Sequence, residues 1–156
     1  MNHMPKVYII LLNWNNWQDT IECLESVLKL DYDNYTVLVC DNASTDGSME
    51  KMKQWALGHQ MAHCSEDKML RELVVPYVEK PLKYAFYRAP ELQESAGPFP
   101  LQQLVFIESE RNLGFAGGNN IGLRYALRQG DMEYVWLLNN DTVVPTSALR
   151  ELLETA

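Results

Sequence analysis

Basic residues are scarce in this sequence: 13 Lys and Arg stand against 21 Asp and Glu, a formal charge of −8. That deficit excludes non-specific nucleic-acid binding, which needs a basic footprint. No apolar run approaches the ~18–20 residues of a membrane span. The opening "MNHMPKVYIILLNW" has neither a basic leader nor a small-residue cleavage site, so it does not read as a signal peptide. Cysteine is sparse as well. Cys23, Cys40 and Cys64 are an odd set without close pairing, which reads as reduced thiols in the cytoplasm or at the inner face of a membrane. Two nucleotide motifs are missing. The position after the first strand lacks G-x-G-x-x-G, which disfavours a dinucleotide oxidoreductase, and no G-K-[ST] occurs for a P-loop. His59, His63 and Cys64 fall at helical spacing but have no second ligand pair, so they read as surface residues rather than a zinc site.

What is present is an alternation of strand and helix. At 156 residues the length fits one domain with a substantial core. Lys6 to Leu12, Tyr35 to Cys40, Leu104 to Glu108 and Glu133 to Leu138 are apolar runs of strand length. The first helix carries Trp17, Ile21, Leu24 and Leu28 on one face. A second begins near Gly47 with Met49, Met52 and Ala56, and a third spans Gly118 to Arg128. The last opens at Pro145-Thr146-Ser147, with Leu149, Leu152, Leu153 and Ala156 expected inward. Continuous apolar strands separated by helices predict an α/β fold, a mostly parallel sheet covered on both faces.

One stretch interrupts this rhythm. About 43 residues, 59–101, separate the second helix from the third strand, where such a connection usually takes ~2–6. The segment reads as an insertion with a helix over 65–75, a short strand in "KYAFYRA" and a loop at "SAGPFP".

In open α/β sheets, ligands bind beyond the carboxyl ends of the strands. Each strand here runs into a polar cluster: "NWNNW" (13–17), "DNASTDGS" (41–48), "ERNLGFAGGNN" (110–120) and "NND" (139–141). Any one of them alone is ordinary turn chemistry. Four on one sheet edge mark a candidate site. Trp14 offers an indole beside amides, while Trp17 reads as core. Asp41 follows a buried strand, so it can face a ring N–H or close an Asx-turn. For Ser44, Asp46 and Ser48, helix capping is the better reading. The glycines of "NLGFAGGNN" precede a helix, where backbone N–H groups can face an anion.

These loops, in this order, resemble the glycosyltransferase family 2 enzymes of the GT-A fold, and in particular their rhamnosyltransferase-type branch. The resemblance covers Lys6 to about Leu57 and Val105 onward. It implies a GT-A, nucleotide-diphospho-sugar transferase type of fold, with 59–101 inserted into one nucleotide-sugar-binding domain, 1–156, that is cut short at its C-terminal end. It implies a UDP- or dTDP-sugar donor such as dTDP-rhamnose, a divalent cation (Mg²⁺ or Mn²⁺), and inverting transfer to a saccharide or lipid-linked acceptor hydroxyl. Carried over by position, Asn13, Trp14 and Asn15 border the base and Asp41 bonds to it. Asn112, Gly114, Gly117 and Gly118 complete the nucleotide-binding set, and Asn139, Asn140 and Asp141 occupy the D-x-D place. Asn139 stands where the family pattern has its first acid, so the metal rests on Asp141 alone.

Elementary electrostatics agrees with a cation. A carboxylate about 4 Å from a phosphate charge costs roughly 4 kcal/mol at an effective dielectric near 20. Asp141 suits a diphosphate only with a metal between them, and Mg²⁺ or Mn²⁺ commonly takes one or two carboxylates plus substrate phosphates. The asparagines can bond ribose or phosphate without adding negative charge. After Asp141 only Glu151 and Glu154 are acidic, both on the last helix. The general base is therefore expected outside this sequence, which would hold the donor half-site and be inactive alone.

Overall fold

The computed structural model of the protein describes residues 3–156. Five strands, β1 (Val7–Asn13), β2 (Tyr35–Asp41), β3 (Ala85–Arg88), β4 (Leu104–Glu108) and β5 (Tyr134–Leu138), build one sheet. Its order is β3-β4-β2-β1-β5, and every neighbouring pair is parallel. The six helices among the described residues are α1 (Trp17–Val27), α2 (Ser48–Leu57), α3 (Lys68–Val74), α4 (Ala89–Glu94), α5 (Gly114–Gln129) and α6 (Ala148–Thr155). None is long and apolar enough to cross a membrane.

The period of two along each strand divides the core. Val7, Ile9, Leu11, Val37, Val39 and Phe106 point to one face, where Ile21 and Leu24 of α1, Met52 and Trp55 of α2 and Leu149 of α6 cover them. Tyr8, Ile10, Leu38, Cys40, Val105 and Ile107 point to the other, under Ile121, Tyr125 and Ala126 of α5 and Leu92 of α4. Both faces of the central strands are thus buried, which explains their unbroken apolar sequences. Helix α5 lies unusually close to the sheet. A Cβ on Gly122 would meet Cys40 Sγ at 3.0 Å and Ile10 Cδ1 at 3.1 Å. One on Gly118 would sit 2.4 Å from Leu12 Cδ1.

Four details differ from the sequence reading. Strand β5 is an edge strand, not a buried one, and Leu137 is 48% exposed. On α6, Leu149 is buried and Leu153 packs partly inward, but Leu152 and Ala156 are exposed. The amphipathic stripe is narrower than its four apolar residues suggested. Helix α5 starts at Gly114 rather than Gly118, so Gly117 and Gly118 lie inside it. The helix in the long connection begins at Lys68 rather than residue 65, because Asp67 accepts from the N–H groups of Met69 and Leu70 and fixes its start.

The 59–101 segment adds more than surface. Its strand β3 extends the sheet beyond β4, and its "RAPELQE" forms α4, a helix not foreseen, with Pro90 in the first turn. A buried ion pair fastens it. Glu25 of α1 is 0% exposed and accepts from Lys80 Nζ (2.7 Å), Trp55 Nε1 (2.8 Å) and the Val78 N–H (2.7 Å). Lys80 lies over the Trp55 ring, 4.9 Å from its centroid. Lys29 donates to the carbonyls of Val74 and Pro76, holding the end of α3.

Candidate active site

The register aligns polar residues at the carboxyl edge of the sheet. Arg88, Glu108, Asp41 and Asn13 are successive partners across β3, β4, β2 and β1. Asp41 is 2% exposed, and its carboxylate is stabilised by donors. Asn13 Nδ2 (2.8 Å) and Ser44 Oγ (2.7 Å) donate to Oδ1, and the Ser44 N–H donates to Oδ2 (3.0 Å). These bonds close an Asx-type turn, and Asp41 also lines a cleft of about 260 Å³ with Lys53, Phe86, Arg88 and Glu108. Lys53 Nζ sits 3.4 Å from the Phe86 ring centroid.

From Asn13 the network continues to the far side of the site. Thr20 Oγ1 donates to Asn13 Oδ1 (2.7 Å) and accepts from Asn140 Nδ2 (3.0 Å). An unbroken hydrogen-bond chain therefore joins the loop after β5 to Asp41 through α1. The amides of Asn13 and Asn140 are used within the protein in this arrangement, and Asn13 is fully buried. Trp14, by contrast, is 54% exposed at the rim. Asn15 has a left-handed φ of 51°, and its side chain exchanges bonds with Thr45: Oδ1 accepts from the Thr45 N–H at 2.7 Å. Of the residues read as caps, Asp46 accepts from the Ser48 N–H at 2.9 Å and from its hydroxyl. Ser44 instead ties Asp41 to the Asn15 N–H (2.8 Å).

The glycine-rich segment is held by Asn42, a residue the sequence reading passed over. Asn42 is 3% exposed. Its Oδ1 accepts from the Leu113 N–H (2.9 Å), and its Nδ2 donates to Asn112 Oδ1 (3.0 Å) and the Gly114 carbonyl (3.1 Å). Asn112 Oδ1 accepts also from the Gly114 N–H at 2.8 Å. The N–H groups of Leu113 and Gly114 are thereby engaged within the protein, and Gly118 serves close packing on Leu12 and Asn42. The only signal for Asn42 was its place beside Asp41 at a strand end.

Asp141 lies apart from these bonds. It is exposed, with no ion pair or hydrogen bond among the described residues. It lines a second cleft of about 260 Å³, walled by Leu12, Phe115, Asn119, Leu138 and Asn139. The Asn139 carbonyl accepts from Thr142 Oγ1 at 2.7 Å, which fixes the turn. Beneath it, burial pushes the Cys23 thiol up to about 12, and the negative charge of Asp141 adds to that effect. No cluster of three His, Cys, Asp or Glu side chains occurs among the described residues. A free carboxylate at a cleft with no second acid fits a hard divalent cation whose remaining ligands come from phosphate and water.

Comparison with known proteins bears on this edge of the sheet. Residues 8–68 and 90–156 match the family described as Glycosyl transferase family 2, leaving out 69–89, which contain β3. "Putative glycosyltransferase EpsE" of Bacillus subtilis is 41% identical over 56 residues, 36% of this chain and 20% of that protein. "Low-salt glycan biosynthesis hexosyltransferase Agl10" of Haloferax volcanii is 43% identical over 47 residues, 30% of this chain and 15% of that protein. The chain thus spans a fifth or less of the length of these relatives. Among solved structures, the mannosyltransferase PcManGT of Pyrobaculum calidifontis, in complex with GDP-Man and Mn²⁺, superposes with a TM-score of 0.64 at 20% identity. That match covers 98% of this chain and 32% of the other. S. aureus TarS 1-349 in complex with UDP-GlcNAc superposes at 0.52 with 16% identity, covering 96% of this chain and 30% of the other. These neighbours share the α/β architecture of GT-A glycosyltransferases. With four of its five strands, its polar strand ends and most of its length inside the match, the chain belongs to Glycosyl transferase family 2.

Proposed function

We propose that these residues form the donor half-site of an inverting, metal-dependent glycosyltransferase that uses a UDP- or dTDP-sugar. The observation that carries this reading is the pairing of two clefts on one sheet edge. One contains the buried Asp41 and the other the exposed Asp141, and a hydrogen-bond chain joins the loops that bear them. A nucleotide laid across the strand ends would set its base against Asp41 and its diphosphate against Asp141. Asn139 would contact ribose or phosphate beside Asp141, and Trp14 would border the base.

The donor pattern around Asp41 favours a uracil or thymine ring. Oδ1 already accepts two hydrogen bonds, and Oδ2 accepts one, so Oδ2 has room for one ring N–H. Lys53 and Arg88 line the same cleft and can donate to carbonyls. One acceptor flanked by donors complements an N–H flanked by two carbonyls, whereas guanine presents two adjacent donors.

Asp141 would hold the divalent cation together with the diphosphate, and the cation would supply Lewis-acid stabilisation of the leaving group. The protein's own part is positional. The Asn140–Thr20–Asn13 chain fixes the loop that carries Asp141, and Leu12 and Phe115 wall its cleft. In this reading the general base that activates the acceptor hydroxyl of a saccharide or lipid-linked acceptor comes from outside these residues.

A thermal-shift panel tests the reading. UDP or dTDP with Mn²⁺ is expected to raise the unfolding temperature, GDP much less and NAD(H) not at all. Indifference to every nucleotide would favour a non-catalytic interaction module instead, and a response to NAD(H) alone would point to a dinucleotide fold.

A further inference from the structure

A third cleft, of about 340 Å³, opens on the other side of the β4–α5 loop, between α4 and α5. Its charged lining consists of Glu110, Arg111 and Arg124, a local excess of one positive charge in a protein of net −8. Neither guanidinium has a carboxylate within salt-bridge distance or a hydrogen-bond acceptor among the described residues, although eight acidic residues in excess are available. Gln93 of α4 adds a side-chain amide. Ser109, 6% exposed, lines the same cleft, and its Oγ is buried without a hydrogen-bond partner among the described residues. A buried hydroxyl left unpaired is costly and points to a missing acceptor.

We infer that this cleft binds a phosphate group. Two arginine forks, an amide and a free hydroxyl are all donors, and Arg is the residue suited to tetrahedral oxyanions. The cleft has no lining residue in common with the two donor-site clefts, although helix α5 borders both sides: Asn112 is held by Asn42, whereas Ser109 and Arg111 line the α4 side. One wall, α4, comes from the long connection between α2 and β4. The volume exceeds that of inorganic phosphate and leaves room for the group to which the phosphate is attached. The same chemistry is presented by a phosphorylated saccharide and by an anionic lipid headgroup.

The test uses the full chain. Inorganic phosphate, glucose 1-phosphate and glucose are titrated by heteronuclear NMR, and vesicles of phosphatidylcholine with and without phosphatidylglycerol are tested by sedimentation. The doubly substituted Arg111→Gln/Arg124→Gln protein is compared throughout. Saturable shifts at Ser109–Leu113 and Arg124 with the phosphates but not glucose, weakened about tenfold or more in the double variant, are expected for a soluble phosphate ligand. Sedimentation only with phosphatidylglycerol, lost in that variant, assigns the lipid source. Glu110→Gln removes the one opposing charge and is expected to tighten whichever ligand binds. Absence of binding in both arms, or binding that the double variant leaves unchanged, overturns the inference. UDP binding with Mn²⁺, measured on the same samples, reports on the donor site separately: its failure with phosphate binding intact would count against the donor reading alone.

Discussion

Asn13 Nδ2 lies 2.8 Å from Asp41 Oδ1, and the two residues are register partners at the ends of β1 and β2. Both are buried, so each depends on the other: the amide satisfies a carboxylate shielded from water, and the carboxylate fixes the amide for Thr20. Asn13→Ala is expected to cost about 2–3 kcal/mol, because a bond to a charged group is lost and Asp41 keeps its burial. Asn13→Asp should cost more, since it sets two carboxylates against each other. Urea unfolding of the two variants measures both.

Thr20→Val keeps the shape of the side chain but removes the bridge between Asn140 and Asn13. The expected stability loss is about 1–2 kcal/mol. UDP affinity should fall with it, because the loop bearing Asp141 loses a tether. Calorimetry with Mn²⁺ present would show the second effect, and unchanged affinity would remove Thr20 from the site.

Glu25 and Lys80 join the long connection to α1. Glu25→Ala leaves Lys80, 16% exposed at its side chain, beside an empty carboxylate position. Removing one partner of a buried pair typically costs ~3–5 kcal/mol. Limited proteolysis should then cut within residues 76–84, while the native protein resists there.

Gly122→Ala sets two terms against each other. Alanine improves helix propensity by roughly 1 kcal/mol, but its Cβ would meet Cys40 Sγ at 3.0 Å and Ile10 at 3.1 Å inside the core. Overpacking of this kind costs about 1–3 kcal/mol, so net destabilisation is expected by thermal unfolding. Gly118→Ala meets the flexible end of Leu12, at 2.4 Å, and should instead push that side chain into the cleft of Asp141.

Cys23 and Cys40 are both pushed up to about 12, chiefly by burial. In the unfolded chain a thiol ionises near pH ~8.5. Above that pH the unfolded state has released protons that the folded state retains, so folding stability must fall as pH rises, by up to ~1.4 kcal/mol per pH unit for each thiol. Unfolding curves between pH 8 and 10 check the sign. Iodoacetamide at pH 8 should label the more accessible Cys64 and spare the other two until the protein unfolds.

The central strands were legible in the sequence because burial on both faces leaves few polar positions in them, Thr36 and the strand-end Asn13 and Asp41 being those of β1 and β2. Strand β5 was harder, since "YVWLL" is as apolar as "VYIILLN" yet lies at the edge. An apolar run says nothing about its position across the sheet. Helix α5 starts earlier than Gly118 because Asn42, distant in sequence, holds the Leu113–Gly114 backbone, in a stretch whose glycines read as a loop before the helix. Within the candidate site, the four polar strand ends were visible as clusters. Which side chains bond one another and which remain free was not, because it depends on register: Asn13 faces Asp41 only once β1 and β2 are aligned. Glu25 and Lys80 carry no local signal in the sequence, because they meet only once the long connection folds back over α1.

The most direct measurement is calorimetric titration of UDP into the protein with Mn²⁺, after chelation with EDTA, and in Asp141→Asn. Asp141 has no partner among the described residues, so this substitution should leave folding intact. The expected result is binding with Mn²⁺ that weakens about tenfold or more both on chelation and in the variant, a loss of at least ~1.4 kcal/mol. Equal affinity in all three conditions, or no binding in any, would contradict a donor site built around a metal held by Asp141.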